Sequence, residues 1–170
     1  MRYDTKDGTA LEYSMIDRNQ IQEVQDYFCA ASNIYAVCVS RKHGAITAVY
    51  GTKEEREWLG ERVDEKYYSI LRDKLNSSAI EEVAEEWVYD GRIKICGVSV
   101  KVNQKIVATW LLAGIIKEKE DATKPYPDYI MTTSEERFDK AVKFLITISK
   151  QYLAAKLDEA FVQEAFSNSL

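Results

Sequence analysis

Ile106-Val107-Ala108-Thr109-Trp110-Leu111-Leu112-Ala113-Gly114-Ile115-Ile116 decides the fold of this chain. These eleven residues carry no charge, and Thr109 is their only polar side chain. A strand with one wet face alternates apolar and polar residues. This stretch does not, so it reads as a central strand with both faces covered. A membrane span needs about 20 apolar residues, and Lys105 and Lys117-Glu118-Lys119-Glu120 end the run well short of that. Val107, Thr109, Trp110 and the isoleucines favour a strand over a buried helix. Just upstream, Ile93 to Val102 alternates well and Asn103-Gln104 makes a short turn, a hairpin leading into the centre of a sheet.

The rest of the chain must supply cover for two faces. Its 170 residues are 46% apolar and 30% charged, which fits one domain with a substantial core and a soluble surface. The net charge is −5, and the longest basic group is Arg41-Lys42-His43, which argues against nucleic acid or an anionic membrane as partner. The N-terminus lacks an apolar signal region, so a cytoplasmic protein is expected. Cys29, Cys38 and Cys96 have long, unpatterned spacing in apolar surroundings. They read as reduced, buried thiols, not as a disulfide frame or a zinc site.

Taken in order, residues 1–16 read as a lead-in. Asp17 or Asn19 caps a helix that ends near Ser32-Asn33. Ile34–Ser40 is a strand, Arg41 to Gly44 a turn, and Ala45–Tyr50 the returning strand. Thr52–Asn76 is helical, opens on the capping box Thr52-Lys53-Glu54-Glu55, and has Gly60 as a breakpoint. Its stripe is Trp58, Leu59, Val63, Tyr67, Ile70, Leu71 and Leu75. The acidic run Glu81 to Glu86 reads as a solvated helical face. Trp87-Val88-Tyr89 is then a strand and Asp90-Gly91 a tight turn. Residues 118–134 form a polar loop with both prolines. Thr133 or Ser134 caps a last, long helix over 135–170, with Phe138, Val142, Leu145, Ile146, Ser149, Leu153, Leu157 and Phe161 at helical spacing.

Helix, β-hairpin, helical crossing, three-strand meander and long helix describe an α+β domain of PAS or GAF type, with a five-stranded antiparallel sheet over residues 17–117. The stretch Asp17 to Gly51, "DRNQIQEVQDYFCAASNIYAVCVSRKHGAITAVYG", with the later "VSVKVNQKIVATWLLAGII", resembles the PocR-type sensory domain, a PAS-like ligand-binding module of bacterial signalling proteins. Members of that family often carry a cysteine in the crossing segment. Thr52–Asn76 has none, so no cysteine-based role carries over. The resemblance implies a sensory role and a preference for small hydrocarbon-derived ligands; separately, no cofactor is expected.

Catalytic chemistry finds no footing in the sequence. His43, the one histidine, falls in a predicted turn and lacks an orienting partner for base catalysis. Nothing cationic sits near Cys38 or Cys96 to lower a thiol pKa. Glu81, Glu82, Glu85 and Glu86 read as a solvated face rather than metal ligands, and no phosphate loop or dinucleotide fingerprint occurs. No enzyme is expected. The aromatics are the better lead: tyrosine and tryptophan join an apolar body to one polar handle, as small-molecule pockets use. The expected pocket lies between the sheet and Thr52–Asn76. Trp58, Tyr67 and Tyr68 come from the crossing segment, Tyr50, Trp87 and Trp110 from on or beside strands, and Cys38 and Cys96 from strands that line or pack against it. Whether the first strand presents Tyr35, Val37 and Val39 or Ile34, Ala36 and Cys38 to that pocket is open at this stage.

The last helix is expected to form a homodimer seam through Leu145, Ser149, Tyr152, Leu153 and Leu157. It would pass ligand occupancy to an output domain or to a partner such as a histidine kinase or regulator. The rival expectation is a ligand-free structural or dimerisation module whose aromatics fill the core.

Overall fold

The computed structural model describes residues 5–40, 44–77 and 82–153, with side chains for 18–40, 44–77 and 82–151. His43, Glu81 and every expectation for the chain beyond Leu153 lie outside the described residues. So do the side chains of Tyr152 and Leu153.

Five strands, β1 (Tyr35–Ser40), β2 (Gly44–Ala45), β3 (Val83–Val88), β4 (Ile93–Val102) and β5 (Lys105–Ile115), form one antiparallel sheet in the order β2-β1-β5-β4-β3. The uncharged stretch is therefore the central strand, and it is buried from Ala108 through Ile115. Asn103 and Gln104 both adopt positive φ, which matches the twist of a two-residue hairpin between β4 and β5. Helices α1 (Thr5–Ser32) and α4 (Glu135–Ile148) cover one face, while α2 (Lys53–Arg62) and α3 (Glu65–Asn76) cover the other. Because successive strand residues point to opposite faces, there are two cores. Ala36, Cys38, Cys96, Val98, Ala108, Trp110 and Leu112 pack under α1 and α4. Tyr35, Ile93, Ile95, Ala113 and Ile115 pack under α2 and α3.

Several sequence expectations are corrected. Helix α1 begins at Thr5, so Asp17 and Asn19 are interior helical positions and 5–16 is no loose lead-in. Its end is where the sequence put it: Asn33 takes the left-handed conformation and its N–H closes on Cys29 O at 2.8 Å. The returning strand stops after Ala45. Cys38 O accepts from both Ile46 N and Thr47 N, and the Thr47 hydroxyl takes the Cys38 N–H that a ladder partner would have used. Gln25, fully buried, accepts from that hydroxyl and donates to Ala48 O at 2.7 Å, so α1 fastens the departing segment.

The crossing segment is broken at Val63-Asp64, not at Gly60. Val63 is extended, and the Asp64 carboxylate accepts from Lys66 N to start α3. The Thr52 capping box is present, with Glu55. Ile70 is exposed, off the buried stripe. The acidic run from Val83 on is the edge strand β3, not a helix. Glu85 pairs with Lys94 at 3.4 Å and Glu86, pointing to the other face, with Lys74 of α3 at 3.6 Å. Charges on an edge strand discourage pairing with a second sheet. Ser134 caps α4 through Arg137 N, and α4 passes into a π-helical turn over Ser149–Leu153. Leu145 and Ser149 are buried against the sheet, so two of the positions expected in a dimer seam are occupied by this chain's own core.

Candidate functional site

A cleft of about 140 Å³ opens between the sheet and the α2–α3 pair. Tyr35 and Val37 of β1 form its floor with Leu111 of β5, which lies directly opposite Val37 in the ladder. Leu59 and Val63 form the roof, and Val49 closes one side. An apolar cavity of about 150 Å³ accommodates one benzene ring. The cleft is thus below the range of about 300 Å³ and up that suits drug-sized ligands, and fits a single ring or a short branched chain.

Its polar groups are few. Arg56 lines the cleft from α2, and its Nε–H donates to Thr52 O at 3.3 Å. It makes no ion pair among the described residues. Tyr68 lines the cleft from α3, and burial raises its phenol pKa, so it stays a neutral hydroxyl at physiological pH.

Tyr35 connects the cleft to the rest of the molecule. Its ring forms part of the floor. Its hydroxyl, at the far end, donates to the buried Glu55 carboxylate and accepts from Met131 N at 3.0 Å. Burial first, then the hydrogen bond to Glu55, pushes the phenol above the ordinary tyrosine range. Glu55 Oε1 also accepts from Thr52 N at 3.0 Å in the capping box. One residue therefore touches the cleft, the start of α2 and the segment that leads into α4. Gly51, at φ +116°, makes the turn into α2 directly over the Tyr35 ring; a Cβ there would stand 3.2 Å from Tyr35 Cε1.

The structure divides the eight residues expected at a pocket. Tyr68 lines the cleft. Tyr50 is half-buried beside it, its ring 6.4 Å from that of Tyr35. Trp58 and Tyr67 belong to the same core without reaching the cleft. Trp58 is instead stacked under Arg62 at 4.1 Å and edge-on to Tyr89 and Tyr126. Trp110, Cys38 and Cys96 face the opposite way, into the α1–α4 core, with Trp110 across from Cys38 and Val98. Burial raises the pKa of both thiols. Trp87, on the edge strand, lies across from Lys94 on that same far side. Sequence reasoning passed over Arg56 and read Gly60 only as a helix breakpoint. The available signal was Gly60 itself, a glycine inside an unbroken helix.

The α1–α4 side carries a second feature, an open groove of about 560 Å³ flanked by Tyr27 and Phe144, which are 70% and 59% exposed. Among the described residues no cluster of histidine, cysteine and carboxylate side chains is placed to hold a metal ion, and no helix is long and apolar enough to cross a membrane. The chain matches no protein-family model, and no curated protein matches it.

Proposed function

We propose that this chain is a small-molecule-sensing domain of a bacterial signal-transduction or transcription-regulatory system, PAS-like in fold and of the PocR type. The observation that carries the reading is the cleft between the sheet and the α2–α3 pair, apolar in its walls with two polar side chains at Arg56 and Tyr68. The order of helix, hairpin, helical crossing, meander and helix supports the same assignment. A ligand seated on the Tyr35 ring shifts the position of the Tyr35 hydroxyl, which holds Glu55 and Met131 N. Occupancy is thereby coupled to the segment entering α4, to the extent that the ligand's affinity differs between the two packings. The output is an attached domain or a partner such as a histidine kinase or regulator in the cytoplasm.

A second reading, a ligand-free module that associates through its α1–α4 side, is favoured by the exposed Tyr27 and Phe144. Native mass spectrometry on freshly purified protein, repeated after denaturation, separates the two. A small molecule lost on denaturing supports sensing and gives its mass. A clean mass, a dimer and no melting shift across a metabolite panel would move the assignment to the second reading.

A further inference from the structure

Gly60 sits inside α2, where glycine weakens a helix relative to alanine. Its usual excuses do not apply. Its φ is not positive, the helix continues through it, and a Cβ built on it would meet no atom within 4 Å. No packing neighbour requires a glycine there. Gly60 lies on an exposed stretch of α2 and lines the cleft, so the space a side chain would take is left open at the cleft's edge. Four residues earlier on the same helix, Arg56 lines the same cleft. Its Nε–H is spent on Thr52 O, and the rest of its guanidinium has no carboxylate partner among the described residues. Tyr68 across the cleft makes no hydrogen bond to the described residues either. The walls are otherwise aliphatic: Val37, Leu59, Val63 and Leu111.

Arg56, exposed at the mouth of the cleft, and the half-buried Tyr68 hydroxyl stand over an apolar floor as donors with no acceptor among the described residues, open to water or to a ligand. The partner that satisfies both is an anion with an apolar body, since a charge-assisted bond to a carboxylate is about twice as strong as a neutral one. We propose that the cleft takes a compact monocarboxylate, one ring or a short branched chain, with Arg56 and Tyr68 donating to its carboxylate and Gly60 leaving room for its body. This inference rests on the reading of the cleft as a ligand site.

The test uses the whole protein, calorimetric titration and five probes: benzoate and isovalerate, their isosteric amides benzamide and isovaleramide, and benzylamine. The acids should bind about tenfold or more tighter than the amides, and benzylamine should not bind. Arg56→Met should bring the acids down to the level of the amides and leave the amides unchanged. Gly60→Leu should abolish binding of all probes while raising the melting temperature of the free protein, which separates a filled cleft from a lost fold. Amides that bind as tightly as acids, or an acid preference that survives Arg56→Met, would overturn the carboxylate assignment and leave the ligand site standing. No binding by any of the five would overturn both.

Discussion

The ring of Phe138 lies on the bare backbone of Gly114. A Cβ on Gly114 would stand 2.8 Å from Phe138 Cε2 and closer still to Cδ2, with Thr133 Cγ2 at 3.3 Å. Helix α4 therefore docks on the central strand through a glycine that can be nothing larger. Gly114→Ala should cost about 1–3 kcal/mol, the range for overpacking a filled core. Phe138→Ala alone should cost about 3–5 kcal/mol. The double variant should cost clearly less than the sum, because the second change vacates the space the first one needs. Urea denaturation of the four proteins measures this, and strict additivity would show that the two residues do not share that contact.

Tyr35→Phe removes one oxygen and strands two groups. Glu55, 8% exposed, loses the donor to Oε2 and keeps only Thr52 N on Oε1, and Met131 N loses its acceptor. An unsatisfied buried group costs about 1–3 kcal/mol, so a loss of that order is expected with the apolar core intact. Amide exchange should accelerate at Met131 more than at the β4–β5 ladder. Uniform acceleration across the protein would instead mean that Tyr35 contributes only to global stability.

The central strand was legible because burial on both faces erases alternation, and Ile106 to Ile116 shows that directly. The capping boxes and turns were legible because they are written in neighbouring residues: Thr52 with Glu55, Asn103 with Gln104. The acidic edge strand was not. Glu85 and Glu86 lie on a strand because β4 pairs with them and Lys94 and Lys74 meet their charges, and none of those partners shows in the acidic run itself. The division of the aromatics was equally hidden. A strand buried on both sides gives no parity signal, so nothing local says that Tyr35 faces the cleft while Trp110 faces α4. Arg56, in the charged run Lys53-Glu54-Glu55-Arg56-Glu57, is an exposed helix residue, and nothing local says that it shares a cleft with Val37 and Leu111.

Lys94 gives a prediction with a definite pH sign. Its side chain is 8% exposed and meets Asp139 at 2.9 Å, Glu85 at 3.4 Å and Glu135 at 3.7 Å. Burial lowers its pKa, but the hydrogen bond to Asp139 and the charges of Glu85 and Asp139 outweigh that and hold it above the ordinary 10.5. A cation whose folded pKa is raised contributes its full stabilisation below the unfolded value and loses it as pH rises through the folded one. The carboxylates are roughly half exposed and can rehydrate, so Lys94→Met should cost about 1–3 kcal/mol. The difference from wild type should be constant from pH 7 to pH 10 and shrink above 10.5. A difference that shrinks instead toward acid, with no loss above 10.5, would mean that the titration of the surrounding carboxylates, not of Lys94, governs it.

Trp110, expected at the pocket, lies on the far side of the sheet from the cleft. It is completely buried on the α1–α4 side, and its indole Nε1–H has no hydrogen-bond partner among the described residues. Trp110→Ala should destabilise the fold by about 3–5 kcal/mol, as core truncations of this size do. Trp110→Phe should cost much less, because the volume it loses is partly offset by removing a donor that water would otherwise have satisfied. Since neither change reaches Tyr35, Arg56 or Tyr68, any ligand that Gly60→Leu excludes should still bind Trp110→Phe with unchanged affinity. Loss of that binding in a folded Trp110→Phe protein would move the site to the α1–α4 core and give Cys38 and Cys96, its neighbours there, the lining role that the cleft denies them.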